Sequence, residues 1–77
     1  MANITNLEPH EQRVFTERDE LQQKITKLSL FKDSPKWGGV EPLEQELLLI
    51  QLSIMCSYRD MLNLRISFFA AKRDARK

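Results

Sequence analysis

Few side chains in this sequence could make or break bonds. There is one histidine, His10, and one cysteine, Cys56. Nucleophilic catalysis needs a nucleophile held against a base, and no Ser/His/Asp or Cys/His set with readable spacing occurs. One histidine and one cysteine do not make a zinc site, so neither a metal nor a cofactor is expected. Gly38-Gly39 is too short to cradle a phosphate. Glu17 and Glu20 fall on a polar helix face with no apolar pocket to raise a carboxyl pKa. The chain is expected not to be an enzyme.

Binding is better served. Arg13 and Arg18 face or flank the apolar seam of a first helix, and Tyr58, Arg59 and Arg65 lie along a second. Guanidinium groups and aromatic rings brought together suit an anionic, planar ligand such as a nucleotide. The ordinary role of such arginines is to snorkel along an apolar edge or to pair with a carboxylate. Trp37, the only tryptophan, lies in the segment between the helices. It reads first as a cover for the open end of the helix pair, and second as a binding anchor.

The elements that position these residues are announced by a repeated phrase. Glu8-Pro9-His10-Glu11-Gln12 recurs as Glu41-Pro42-Leu43-Glu44-Gln45. Proline suits the first helical position, where its missing N–H costs nothing. The residue before it is pushed out of helical geometry. An acid in the first turn complements the helix dipole. Val14, Leu21, Ile25 and Leu28, with Arg18 in the remaining slot, form a 4-3 stripe. Helix 1 is therefore placed at about 9–31, after a lead-in of residues 1–8. Pro35 and Gly38-Gly39 make residues 32–41 a loop. Helix 2 is placed at about 42–73, with a basic tail at 74–77.

The second helix is far more apolar than the first. The runs 47, 54, 61, 68 and 48, 55, 62, 69 lie side by side, extended by Leu43, Ile50 and Leu64. That sector is wider than one partner helix needs. The short loop makes the helices antiparallel neighbours. At 1.5 Å per residue, helix 1 ends opposite about residue 64, so Ile66, Phe68 and Phe69 overhang. Either Ile4 and Leu7 of the lead-in fold back over them, or another subunit does. The expected fold is an all-α antiparallel helical hairpin that self-associates into a coiled-coil-like bundle. Leu48, Met55, Leu62, Ile66, Phe68 and Phe69 are the side chains expected at the interface between subunits.

Size and charge support this reading. Seventy-seven residues form one small domain, and a domain this small is marginal without disulfides, metal or oligomerisation. A lone cysteine cannot form an intrachain disulfide. The net charge is +1, but residues 1–46 carry nine acids and six bases (−3) and residues 47–77 carry two acids and six bases (+4). Lys72, Arg73, Arg76 and Lys77 are too few for a strong nucleic-acid footprint and read as favourable charge at a helix C-terminus. No signal peptide or membrane span is apparent, so a soluble, intracellular protein without membrane contact is expected.

One family resemblance emerges from the seam residues. The pattern runs Glu11-Gln12-Arg13-Val14, Glu20-Leu21, Lys24-Ile25, Lys27-Leu28 and Phe31. It continues through Glu44-Gln45, Leu47-Leu48, Gln51-Leu52, Met55 and Tyr58 to Leu62 and Arg65-Ile66. Over about residues 10–66 it resembles small helical proteins encoded by tailed bacteriophages and prophages, including crAss-like phages, mostly of unknown function. The resemblance implies an accessory protein acting by binding in the cytoplasm of an infected bacterium. Counter-defence or host modulation is the implied role, with either a host or defence protein or a signalling nucleotide as partner. The alternative is a structural oligomerisation module, or a nucleic-acid-associated accessory protein using the basic tail.

Overall fold

The computed structural model describes residues 7–74 of the chain. Helix α1 spans Pro9–Lys32 and helix α2 spans Pro42–Asp74, joined by a 3-10 turn at Pro35–Gly39. Each helix boundary lies within one residue of the position expected from the sequence. The helices run antiparallel as a hairpin, in a rod of 55 × 17 × 17 Å.

Both helix starts use the repeated phrase, and its glutamine has a role that the sequence pattern does not reveal. Glu8 is extended (φ −63°, ψ 151°), as the following proline requires. Its backbone N–H donates to the Glu11 carboxylate at 2.9 Å, the return half of a capping box. Gln12 Nε2 then donates to the Leu7 carbonyl at 3.0 Å. In the second copy, Gln45 Nε2 donates to the Trp37 carbonyl at 2.7 Å. Each glutamine thus reaches back over its own helix start and ties down the segment that enters it.

The core is one seam. On the α1 side it comprises Leu7, Glu11, Val14, Arg18, Leu21, Ile25, Leu28 and Lys32, all buried or half-buried. The spacing alternates four and three throughout, the signature of paired helices in 3-4 packing. The most enclosed apolar residues are Leu62 (0% exposed), Val14 (4%), Ile25 (5%) and Leu7 (8%). Leu7 extends the stripe one turn beyond the helix, so the lead-in does fold onto the hairpin. Ile4, the other lead-in residue expected there, lies outside the described residues, as do residues 75–77 of the basic tail.

The overhang is shorter than expected. His10 meets the Phe69 ring edge-on at 6.2 Å, so α1 reaches about five residues beyond the expected limit at position 64 of α2. The reason is the connection. The 3-10 turn occupies the level of the first turn of α2 and shifts the register. Pro35 begins it, and neither Gly38 nor Gly39 takes a positive φ. The glycines therefore do not act as left-handed turn residues. Trp37 packs edge-on against Phe31 at 5.9 Å and is half-buried, which makes it the cover of the hairpin's closed end.

Leu62 has no exposed surface to lose, so truncating it leaves a cavity. Leu62→Ala is expected to destabilise the chain by about 2–5 kcal/mol. Leu30→Ala, at a position 66% exposed on the outer side of α1, should stay within about 0.5 kcal/mol. Urea denaturation followed by circular dichroism measures both.

Candidate binding surface

The two flanks of the helical seam are built differently. On one flank, Arg18 Nη1 donates to Asn63 Oδ1 at 2.9 Å, and Arg59 Nη1 donates to Gln22 Oε1 at 3.2 Å. Each guanidinium also pairs with the carboxylate that follows it in sequence. Arg18 Nε reaches Asp19 Oδ1 at 2.7 Å, and Arg59 Nη2 reaches Asp60 Oδ1 at 3.1 Å. Arg18 further lies over the Phe15 ring, 5.8 Å from its centroid. Phe15, Gln22, Cys56 and Asn63 are all half-buried, so this flank is closed. Arg18 and Arg59 are held in place by the fold itself.

The other flank is open. Tyr58 donates its hydroxyl hydrogen to Glu17 Oε2 across the two helices. Successive helical residues point about 100° apart at 3.6 residues per turn. The contacts of Glu17 with Tyr58 and of Arg18 with Asn63 therefore mark opposite flanks. Glu17, Tyr58 and Arg65 are all exposed. Arg13 stands one turn before Glu17 and is exposed as well. The antiparallel register brings Arg13 level with the Arg65–Ile66 turn of α2. Arg13, Glu17, Tyr58 and Arg65 thus share one solvent-facing flank.

The electrostatics of this flank centre on the phenol. The hydrogen bond to Glu17 is the largest cause of a Tyr58 pKa raised above its ordinary value of 10.0, followed by desolvation and by repulsion from the Glu17 charge. Arg65 opposes the shift. Arg13 and Arg65 make no ion pair among the described residues, and both are exposed to solvent. Their guanidinium forks match carboxylate or phosphate oxygens. A shallow open depression of about 520 Å³ along α1 is lined by Pro9, Gln12, Arg13, Thr16, Glu17 and Glu20. Its two carboxylates, Glu17 and Glu20, disfavour an anion at its centre, and Arg13 is its one cationic lining residue.

The six residues singled out for binding from the sequence therefore separate. Arg13, Tyr58 and Arg65 come together on the open flank. Arg18 and Arg59 belong to the closed flank, and Trp37 closes the loop end. Sequence reasoning misses Glu17, because its partner lies 41 positions away and no short-range pattern joins them. Of the six side chains expected between subunits, Leu48, Met55, Leu62, Ile66 and Phe69 lie on the side of α2 that faces α1, and Leu62 is fully enclosed there within one chain. Only Phe68 stands on the outer side, 63% exposed. The sequence places two apolar stripes next to each other and does not say which one α1 takes.

His10 and Cys56 do not meet. His10 packs on Phe69, thirteen residues or roughly 20 Å along α2 from Cys56. Among the described residues, no group of three or more His, Cys, Asp or Glu side chains could hold a metal ion. No helix there is long and apolar enough to cross a membrane.

Tyr58 is the only tyrosine, so tyrosinate absorbance reports it alone. A raised folded pKa means that the protonated phenol is the form favoured by folding. Its contribution is complete below about 10 and is lost as pH rises through the raised value. The titration midpoint should lie above 10.0 in the native chain and fall towards it in Glu17→Gln.

Comparison with known proteins places these features in a family context. A family model described as Sequestin matches residues 8–68. The chain is 45% identical over 60 residues to a 7.5 kDa protein of the denB-rIIB intergenic region of Enterobacteria phage T4, covering 78% of this chain and 94% of the relative. That relative is a phage protein, as the sequence resemblance implies; neither match bears on crAss-like phages. No solved structure matches the chain.

Proposed function

This chain belongs to the Sequestin family, and we propose that it acts as that name describes, by sequestration: it binds and holds a small anionic ligand and does not transform it. The ligand class that suits the open flank is a signalling nucleotide of the infected bacterium's defences. The observation that carries the proposal is the convergence of Arg13, Tyr58 and Arg65 on one exposed flank, while Arg18 and Arg59 are held by Asn63, Gln22 and their adjacent carboxylates. Phosphate oxygens would take the guanidinium forks, and a planar base would lie against the phenol ring.

The relative is encoded by a bacteriophage, and the role that goes with sequestration in this proposal is counter-defence or host modulation in the cytoplasm of the infected cell. Self-association forms part of the proposal, since a single chain offers the ligand one open flank and no enclosing wall.

A thermal-shift panel of cyclic di- and trinucleotides and linear nucleotides tests the reading. Ligand at about a hundred times its Kd stabilises by about 2.7 kcal/mol, which should raise the Tm of a domain this small by on the order of 10 °C. Arg13→Ala and Arg65→Ala should each weaken binding roughly tenfold to a hundredfold, as expected for a lost charge-assisted hydrogen bond. Absence of any shift, together with a specific host protein retained in a pull-down, would point instead to a protein inhibitor. Salt-dependent DNA binding lost on deleting residues 72–77 would favour the nucleic-acid alternative.

A further inference from the structure

Helix α2 carries a second seam that no described residue covers. Leu43, Leu47, Ile50, Ile54, Ser57, Met61, Leu64 and Phe68 alternate four and three over 26 residues. All eight are exposed, the seven apolar ones between 53% and 66%. This seam lies roughly 150° around α2 from the one that packs on α1, counting 3.6 residues per turn. Seven large side chains so exposed present on the order of 700 Å². That exceeds the patch usual on a monomer and approaches the ~800 Å² per partner of a standard stable interface.

We propose that this seam is occupied by α2 of a second copy, running antiparallel, in the register where paired residue numbers sum to 111. Every seam position then finds a seam partner: Leu43 with the partner's Phe68, Leu47 with the partner's Leu64, Ile50 with the partner's Met61, and Ile54 with the partner's Ser57. Charge selects this direction. The segment opening α2 carries Glu41, Glu44 and Glu46, and its far end carries Arg65 and Lys72. A parallel pair would set the two acidic ends side by side, whereas the antiparallel pair lays each acidic end over a basic one. Glu44 comes close to the level of the partner's Arg65 on the seam edge, and the symmetric contact repeats it. The parallel alternative would instead pair Asp60 with the partner's Arg65, but Asp60 is already engaged by Arg59 at 3.1 Å. In a parallel pair the small Ser57 would also face its own copy and leave a gap. In the antiparallel pair it lies against Ile54.

The arrangement bears on the ligand site. Tyr58 and Arg65 occupy the same edge of the outer seam, and in an antiparallel pair equivalent edges lie on one side of the dimer. The two open flanks thus face the same trough, with Tyr58 and its copy about 7.5 Å apart along the helix axis. This second step rests on the sequestration reading and predicts one nucleotide per two chains; the interface itself does not depend on it.

Disulfide trapping separates the possibilities without ligand. In a Cys56→Ala background, Leu47→Cys and Leu64→Cys chains mixed in equal amounts should cross-link efficiently through positions 47 and 64, as mapped by peptide mass spectrometry. Either variant alone should not cross-link. Sedimentation should give a dimer of twice 9.1 kDa. Ile54→Arg should yield a monomer with helicity retained, because position 54 is exposed in the hairpin. Glu44→Arg should weaken the dimer, and Glu44→Arg/Arg65→Glu should restore it. A monomer at tens of micromolar, or cross-links joining 47 to 47, would overturn the inference. A dimer with the 47–64 link that binds no nucleotide would overturn the sequestration reading and leave the interface standing.

Discussion

A long helix with two apolar seams and only one shorter helix to bury them is the constraint on which this structure turns. Helix α1 can cover one side of α2, and it does so through a single ladder from Leu7 to Lys32. Few of the described residues are thereby enclosed: Leu62, Val14, Ile25 and Leu7 are the apolar ones. The hydrophobic effect scales with apolar area removed from water, so a hairpin with so narrow a core gains little from burial within one chain. Most of the remaining large apolar side chains lie along the other side of α2.

The polar side chains in and beside the seam follow from the same geometry. Arg18 and Arg59 occupy positions where an aliphatic residue would otherwise sit, and each is satisfied by an amide across the seam and a carboxylate beside it. Among the described residues no buried side-chain polar atom lacks a partner. Unpaired buried donors are costly, so these contacts fix which helix faces meet and in what register. The closed flank is thus a device for alignment. The flank opposite, bridged by Tyr58 and Glu17, is left with the exposed guanidinium groups of Arg13 and Arg65.

The repeated Glu-Pro-x-Glu-Gln phrase shows how local chemistry shapes the ends of such a rod. Proline and glutamate set the helix start, while glutamine returns to the backbone of the entering segment. The first copy secures Leu7 as the end of the core. The second secures Trp37, which in turn packs against Phe31. One phrase therefore closes the hairpin at both ends, although the segments it ties down have nothing else in common.

Helix boundaries, the antiparallel hairpin and the α1 stripe through Val14, Arg18, Leu21, Ile25 and Leu28 are legible in the sequence, because proline placement and 3.6-residue periodicity are local properties. The open flank is half legible: Arg13, Tyr58 and Arg65 stand out by residue type, but so do Arg18 and Arg59, which are structural. What separates these groups is their partners. Arg18 and Asn63, like Glu17 and Tyr58, meet across more than forty positions of sequence. The choice between the two apolar stripes of α2 is likewise decided only in three dimensions. Both stripes satisfy the same spacing rule, and the 3-10 turn at Pro35–Gly39 sets how α1 approaches. Periodicity determines that α2 has more apolar surface than α1 can cover; packing decides which of it remains.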